Sequence, residues 1–117
     1  MKRPLAYITA AWSGNFYLDT GQAAEYCRLA YETGFSPICP ILYMPLFIND
    51  EIPEEHESAS DMSRDLLRRS HILVVCGNHV DEAVKKDIAT ASRLSITATT
   101  LDGLLTVKTQ GQVRTGD

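Results

Sequence analysis

The chain has 117 residues, 44% hydrophobic and 22% charged, and a formal charge of −4 from 11 Lys and Arg against 15 Asp and Glu. One domain of ordinary size fits this length, and such a chain buries roughly two-thirds of its unfolded surface without a metal or disulfide staple. The acidic balance argues against duplex nucleic acid or an anionic membrane as partner, and the composition excludes intrinsic disorder, collagen and coiled coil.

Taken in chain order, residues 1–4 are basic, but the apolar stretch behind them is too short for a signal peptide. No run of 18 apolar residues offers a transmembrane helix. Residues 5–9 read as a buried first strand, followed by a loop over 10–15. Asp19 and Thr20 are candidate N-caps for a helix in which Ala23, Tyr26, Cys27, Ala30 and Tyr31 recur at helical spacing, closed by Gly34. Residues 35–39 form a second strand. Residues 41–53, with Tyr43, Met44, Leu46, Phe47 and Ile48, are too apolar for a plain surface loop and predict a lid or an oligomer contact.

Glu54 and Glu55 open an amphipathic helix through Ala59, Met62, Leu66 and Leu67, ending at Arg68 and Arg69. Residues 71–77 are continuously apolar and β-branched, as a central parallel strand covered on both faces requires. A turn at 78–81 leads to a helix over 82–94, with Ala83, Val84, Ile88, Ala91 and Leu94 on its inner face. Residues 95–99 read as a fourth strand and 104–107 as a possible fifth. The domain is thus expected over 1–107, with a polar tail at 108–117.

Alternating strands and helices predict an α/β fold: a three-layer Rossmann- or flavodoxin-like parallel sheet of four to five strands, order 2-1-3-4, flanked by helices. Ligands of such sheets bind at the carboxyl ends of the strands. That rule gathers three loops on one rim. The first, Thr9, Ala10, Ala11, Trp12, Ser13 and Gly14, has small residues that let backbone amides approach a sugar or phosphate, with Trp12 available for stacking on a base. The alternative is a tight turn with Trp12 packed beneath it. The second loop brings Tyr43. The third brings Gly77, Asn78, His79 and Asp81, with Ala83 at the start of the following helix.

Within that helix, Asp87 lies about one and a half turns from the start, where a carboxylate can face the crevice, with Asp81 and Glu82 nearby. Clustered carboxylates push one pKa upward and divide acid and nucleophile roles. Alternatively, all three complement the helix N-terminus and pair with Lys85 and Lys86. Asp61 and Asp65 share a helix face, either joining a site or pairing with Arg64, Arg68 and Arg69. His56, His71 and His79 lack zinc-ligand spacing, and no motif implies a metal or cofactor. Three widely spaced cysteines, Cys27, Cys39 and Cys76, suit reduced thiols of a cytoplasmic protein.

The stretch 61–77, with Asp87 ten residues after Gly77, resembles the nucleoside 2-deoxyribosyltransferase-like superfamily, as do Tyr7-Ile8-Thr9-Ala10 and Gly34-Phe35-Ser36-Pro37. The nearest branch is its small DUF4406-like members, often found in phages and mobile elements. The resemblance spans about residues 4–107. It implies a nucleoside or nucleotide as small-molecule partner, the loop after the first strand as the sugar or phosphate site, and a homodimer or larger homo-oligomer. It also implies a carboxylate nucleophile at Asp87, attacking the anomeric carbon with the double-displacement logic of a retaining glycosidase. Asp65 is similar to a helix aspartate that precedes the central strand.

Four departures accompany the resemblance. Asp87 replaces a glutamate, which draws the carboxylate back by about 1–1.5 Å on bond-length grounds. Asp81 and Ala83 stand where the family has serine and glycine, His71 stands for an acidic residue, and the first loop lacks the family's arginine. The expected function is N-glycosidic hydrolysis or deoxyribosyl transfer. The alternatives are a catalytically reduced module that binds a nucleotide-derived ligand, as sensor or sponge, and an interaction protein using residues 43–48.

Overall fold

The structure, a computed structural model, describes residues 2–106. Val107 and the expected polar tail at 108–117 lie outside the described residues. The β-branched stretch becomes β3 (Ile72–Cys76), the inner strand beside β1 (Leu5–Ala10). A three-residue edge strand, β2 (Ser36–Ile38), pairs with β1, and β4 (Thr97–Thr100) pairs with β3. All three pairings are parallel, in the order β2-β1-β3-β4. The protein is therefore an α/β fold with a four-stranded parallel sheet and helices on both faces, as Rossmann- and flavodoxin-like folds have.

Side chains alternate across a strand, so β1 and β3 divide their residues between two cores. Ala6, Ile8, Val74 and Cys76 pack against Ala23 and Ala30 of α1 (Phe16–Glu32). Tyr7 and Leu73 face the other way, against Leu67 of α2 (Pro53–Arg68) and Ala91 of α3 (Glu82–Arg93). Helices α2 and α3 thus share one face and α1 covers the other, the arrangement that right-handed crossovers produce in this strand order. Among the described residues, no helix is long and apolar enough to cross a membrane.

Local chemistry departs from expectation at four places. The α1 N-cap is Asn15, whose side chain accepts from the Leu18 amide; Asp19 and Thr20 lie inside the helix. Asp19 is buried and turns back to the loop, and Thr20 bonds the Phe16 carbonyl. Ser95 belongs to the end of α3 rather than to β4: its φ is +59°, and the Ile96 amide reaches back to the Ala91 carbonyl at 2.8 Å. This left-handed closure is the kind glycine usually makes, as Gly34 does after α1 with φ +104°.

The expected fifth strand is a helix. Residues 101–106 form α4, opened by the Thr100 hydroxyl, which accepts from the Gly103 amide at 3.0 Å. Leu101 and Leu104, three apart, share one helical face and pack into the core beneath α1, with Leu104 5% exposed. The lid-like segment is divided. It forms two 3₁₀ turns, Pro40–Leu42 and Met44–Leu46, that seat Ile41, Leu42 and Met44 inward while Leu46 and Phe47 stay 71% and 61% exposed.

Candidate functional site

One cleft of about 860 Å³ opens between α2, α3 and the sheet edge. Its floor is Tyr7, Thr9 and Ala10 of β1. One wall is α3, through Ala83, Lys86, Asp87, Thr90 and Arg93, positions spaced to form a single helical stripe. The facing wall is α2, through His56, Ala59, Ser60, Ser63 and Arg64. The 3₁₀ segment closes the side with Pro40, Ile41, Met44, Pro45 and Ile48.

Among the described residues, Asp87 is the only acid of this cleft bound to the sheet. Thr9 Oγ1 donates to Asp87 Oδ2 at 2.7 Å, and Thr9 is buried. Burial raises the Asp87 pKa above the usual carboxylate value; the Thr9 hydrogen bond opposes that, nearby Asp81 adds to it, and Lys86 opposes it. Beside it, the Tyr7 phenol is held protonated well above its ordinary value, by burial first and by the Asp87 charge second, with a hydrogen bond to Ser63 pulling the other way. The arrangement supplies a half-buried carboxylate, one oxygen fixed by a hydroxyl, next to a neutral phenol.

The loop after β1 is bound by carboxylates of its own chain. Asp19 Oδ2 accepts from the Ser13 and Gly14 amides at 2.9 and 3.1 Å, and Asp19 Oδ1 accepts from the Ser13 hydroxyl at 2.7 Å. Asp81 caps α3 by accepting from the Val84 amide at 2.9 Å, and its second oxygen accepts from the Trp12 amide at 3.0 Å. These two side chains occupy the donors with which strand-to-helix turns of this type hold anions.

The expected site residues therefore separate. Thr9, Ala10, Trp12, Asp81, Ala83 and Asp87 line the cleft together. Trp12 is not packed beneath its loop. Ala11, Ser13, Gly14, Gly77, Asn78 and His79 lie outside the lining. Tyr43 also lies outside it, stacked on Phe47 with centroids 6.3 Å apart. Asp65 is not in the cleft either; it pairs with Arg68 and Arg69 at 3.2 and 2.9 Å on the outer face of α2. Tyr7, Ser60, Ser63, Arg64 and Arg93 are lining residues that spacing alone did not single out. The helical stripe 56, 59/60, 63/64 was the available signal, masked by charges that read as a solvated face.

Cys76, at the end of β3, is pushed up to about 12 by burial and carries no thiolate character. Among the described residues, no group of three His, Cys, Asp or Glu converges as a metal ion would need. No curated protein matches the chain. A family model described as a domain of unknown function (DUF7768) matches residues 4–101, which takes in all four strands and both walls of the cleft, and the chain belongs to that family.

Proposed function

We propose that the protein cleaves or transfers the N-glycosidic bond of a nucleoside or nucleotide, with Asp87 as nucleophile. The observation that carries this reading is the Asp87 carboxylate, on the α3 wall with Oδ2 fixed by Thr9 of the floor and no hydrogen-bond donor on Oδ1 among the described residues. Oδ1 attacks the anomeric carbon, the bond to the base breaks, and its electron pair leaves on the base nitrogen, which takes a proton from solvent. Water or a second base then attacks the same carbon and frees the carboxylate, a double displacement. The Tyr7 phenol, kept neutral, retains a proton to offer a ligand, and Trp12 and Met44 provide apolar faces for a base.

The test is release of free base from deoxynucleosides and deoxynucleoside monophosphates, followed by chromatography. The wild type should release base, and Asp87→Ala should lose at least about a thousandfold in rate, the scale expected for removing an essential nucleophile. Release that survives the substitution would overturn the mechanism. A second reading, a catalytically reduced ligand-binding module, is favoured by the short reach of an aspartate. Ligand binding without base release would select it.

Self-association belongs to the same reading. Leu46 and Phe47, with Tyr43 and Ile52, leave apolar surface on one side of the cleft. A two-fold contact would cover it twice over. Light scattering at micromolar concentration should find a dimer that Phe47→Asp dissociates; a 13.0 kDa species in the wild type rejects it. The two buried cysteines among three free thiols support a reducing, cytoplasmic setting.

A further inference from the structure

Resting on that reading, we infer that the cleft takes a ligand bearing a phosphomonoester, held by Arg64 of α2 and by Lys86 and Arg93 of α3 rather than by the loop after β1. The loop is excluded first. Its Trp12, Ser13 and Gly14 amides already donate to Asp81 and Asp19, and the α3 N-terminus is capped by Asp81. An incoming phosphate would find no unoccupied donor among these amides and would meet two carboxylates.

Three cations line the same cleft. Ser63 and Arg64 of α2 and Lys86, Asp87 and Arg93 of α3 line one space above Tyr7. Arg64 follows Ser63, Lys86 precedes Asp87, and Arg93 lies beyond it, about 10 Å along the α3 axis from Lys86. Arg64 lines the α2 wall and Lys86 and Arg93 the α3 wall of this one cleft, and Ser60 and Thr90 line the same space.

These cations are weakly engaged. Lys86 has no ion pair among the described residues. Among the described residues Arg93 bonds only the Thr90 hydroxyl, at 3.2 Å, and Arg64 makes an exposed pair with Asp61 at 3.4 Å. The other acids of the cleft are spoken for: Asp50 contacts His56, Glu82 contacts Lys85, and both Asp81 oxygens accept amides. The cleft thus carries Asp81 and Glu82 at its loop end and Arg93 at the α3 C-terminal end, with Lys86 beside Asp87 between them. A sugar phosphate lying along it places its anion away from the attacking carboxylate, and arginine offers the fork that phosphate accepts.

Calorimetric titration of a deoxynucleoside, its 5′-monophosphate and 2-deoxyribose 5-phosphate tests this, with wild type, Arg93→Ala and Arg93→Lys. The monophosphate should bind more tightly than the nucleoside. Arg93→Ala should cut that preference by about tenfold, the scale of one charge-assisted hydrogen bond, and Arg93→Lys should restore part of it. Circular dichroism would verify that each variant is folded. Nucleoside binding or cleavage with no preference for the phosphate overturns this inference and leaves the glycosidic reading standing. Arg93-dependent binding of 2-deoxyribose 5-phosphate, with neither the nucleoside nor its monophosphate bound, supports the phosphate site and overturns the glycosidic reading. Binding of none of the three overturns both.

Discussion

Ile8 and Thr9 are neighbours in β1, yet they serve opposite sides of the molecule. Ile8 is 1% exposed and packs with Ala6, Val74, Cys76 and the small residues of α1, a face closed by apolar contacts alone. Thr9 is buried as well, but its hydroxyl binds Asp87 and its face opens into the cleft. The strand's two-residue period separates a structural side from a chemical side. A single peptide bond divides the residues that hold the fold from those that hold the carboxylate.

Substitutions on either side should sharpen that division. Ile8→Ala removes a fully packed side chain from the closed face, and urea denaturation should show a loss of about 2–5 kcal/mol. Thr9→Val, nearly the same shape, should cost about 1–3 kcal/mol at neutral pH, because the Asp87 carboxylate loses its donor. It should also move the pH–rate profile for base release to higher pH, since the Thr9 hydrogen bond is what holds the Asp87 pKa down against burial. A Thr9→Val variant with unchanged stability and profile would break the comparison.

Asp87→Asn should act in the opposite direction on stability. The native state binds the Asp87 proton more tightly than an unfolded chain does, because its pKa is raised above 3.8. That contribution is complete below the unfolded value and is lost as pH rises through the folded one. Ionised Asp87 therefore weakens the native state at neutral pH. The asparagine variant should melt higher there, and the gain should vanish as pH falls toward the ordinary carboxylate value. A gain that persists in acid would contradict burial as its cause. The smallest effect lies away from both faces: Ser95→Gly should add about 0.5–1 kcal/mol by relieving a left-handed backbone, measured as a small rise in Tm.

What could be read in advance follows the same division. The sheet order, the inner position of β3 and the closure of α1 at Gly34 rest on periodicity and on backbone preference, which a sequence displays directly. The 101–106 helix was hidden because Leu104, Leu105 and Val107 look like strand formers, and the deciding contact is the Thr100 hydroxyl on the Gly103 amide. The roles of Asp19 and Asp81 were hidden for a related reason. Near a helix start, an aspartate reads the same whether it serves the helix or the preceding loop; only folding brings the 12–14 amides within reach. Arg64 and Arg93 look like ordinary surface charges until two helices from different crossovers stand side by side.

The Leu104 socket has a consequence for where this folding unit ends. The family match stops at residue 101, before the leucine whose side chain fills the core beneath α1. A protein cut at the family boundary would keep every strand and both walls of the cleft, yet leave a hole beside Ala6, Ile8 and Val74. Its sheet would have water on the side that should be dry. Recombinant pieces of this domain should therefore run at least through 106, and shorter ones should be judged by their solubility before their inactivity is interpreted.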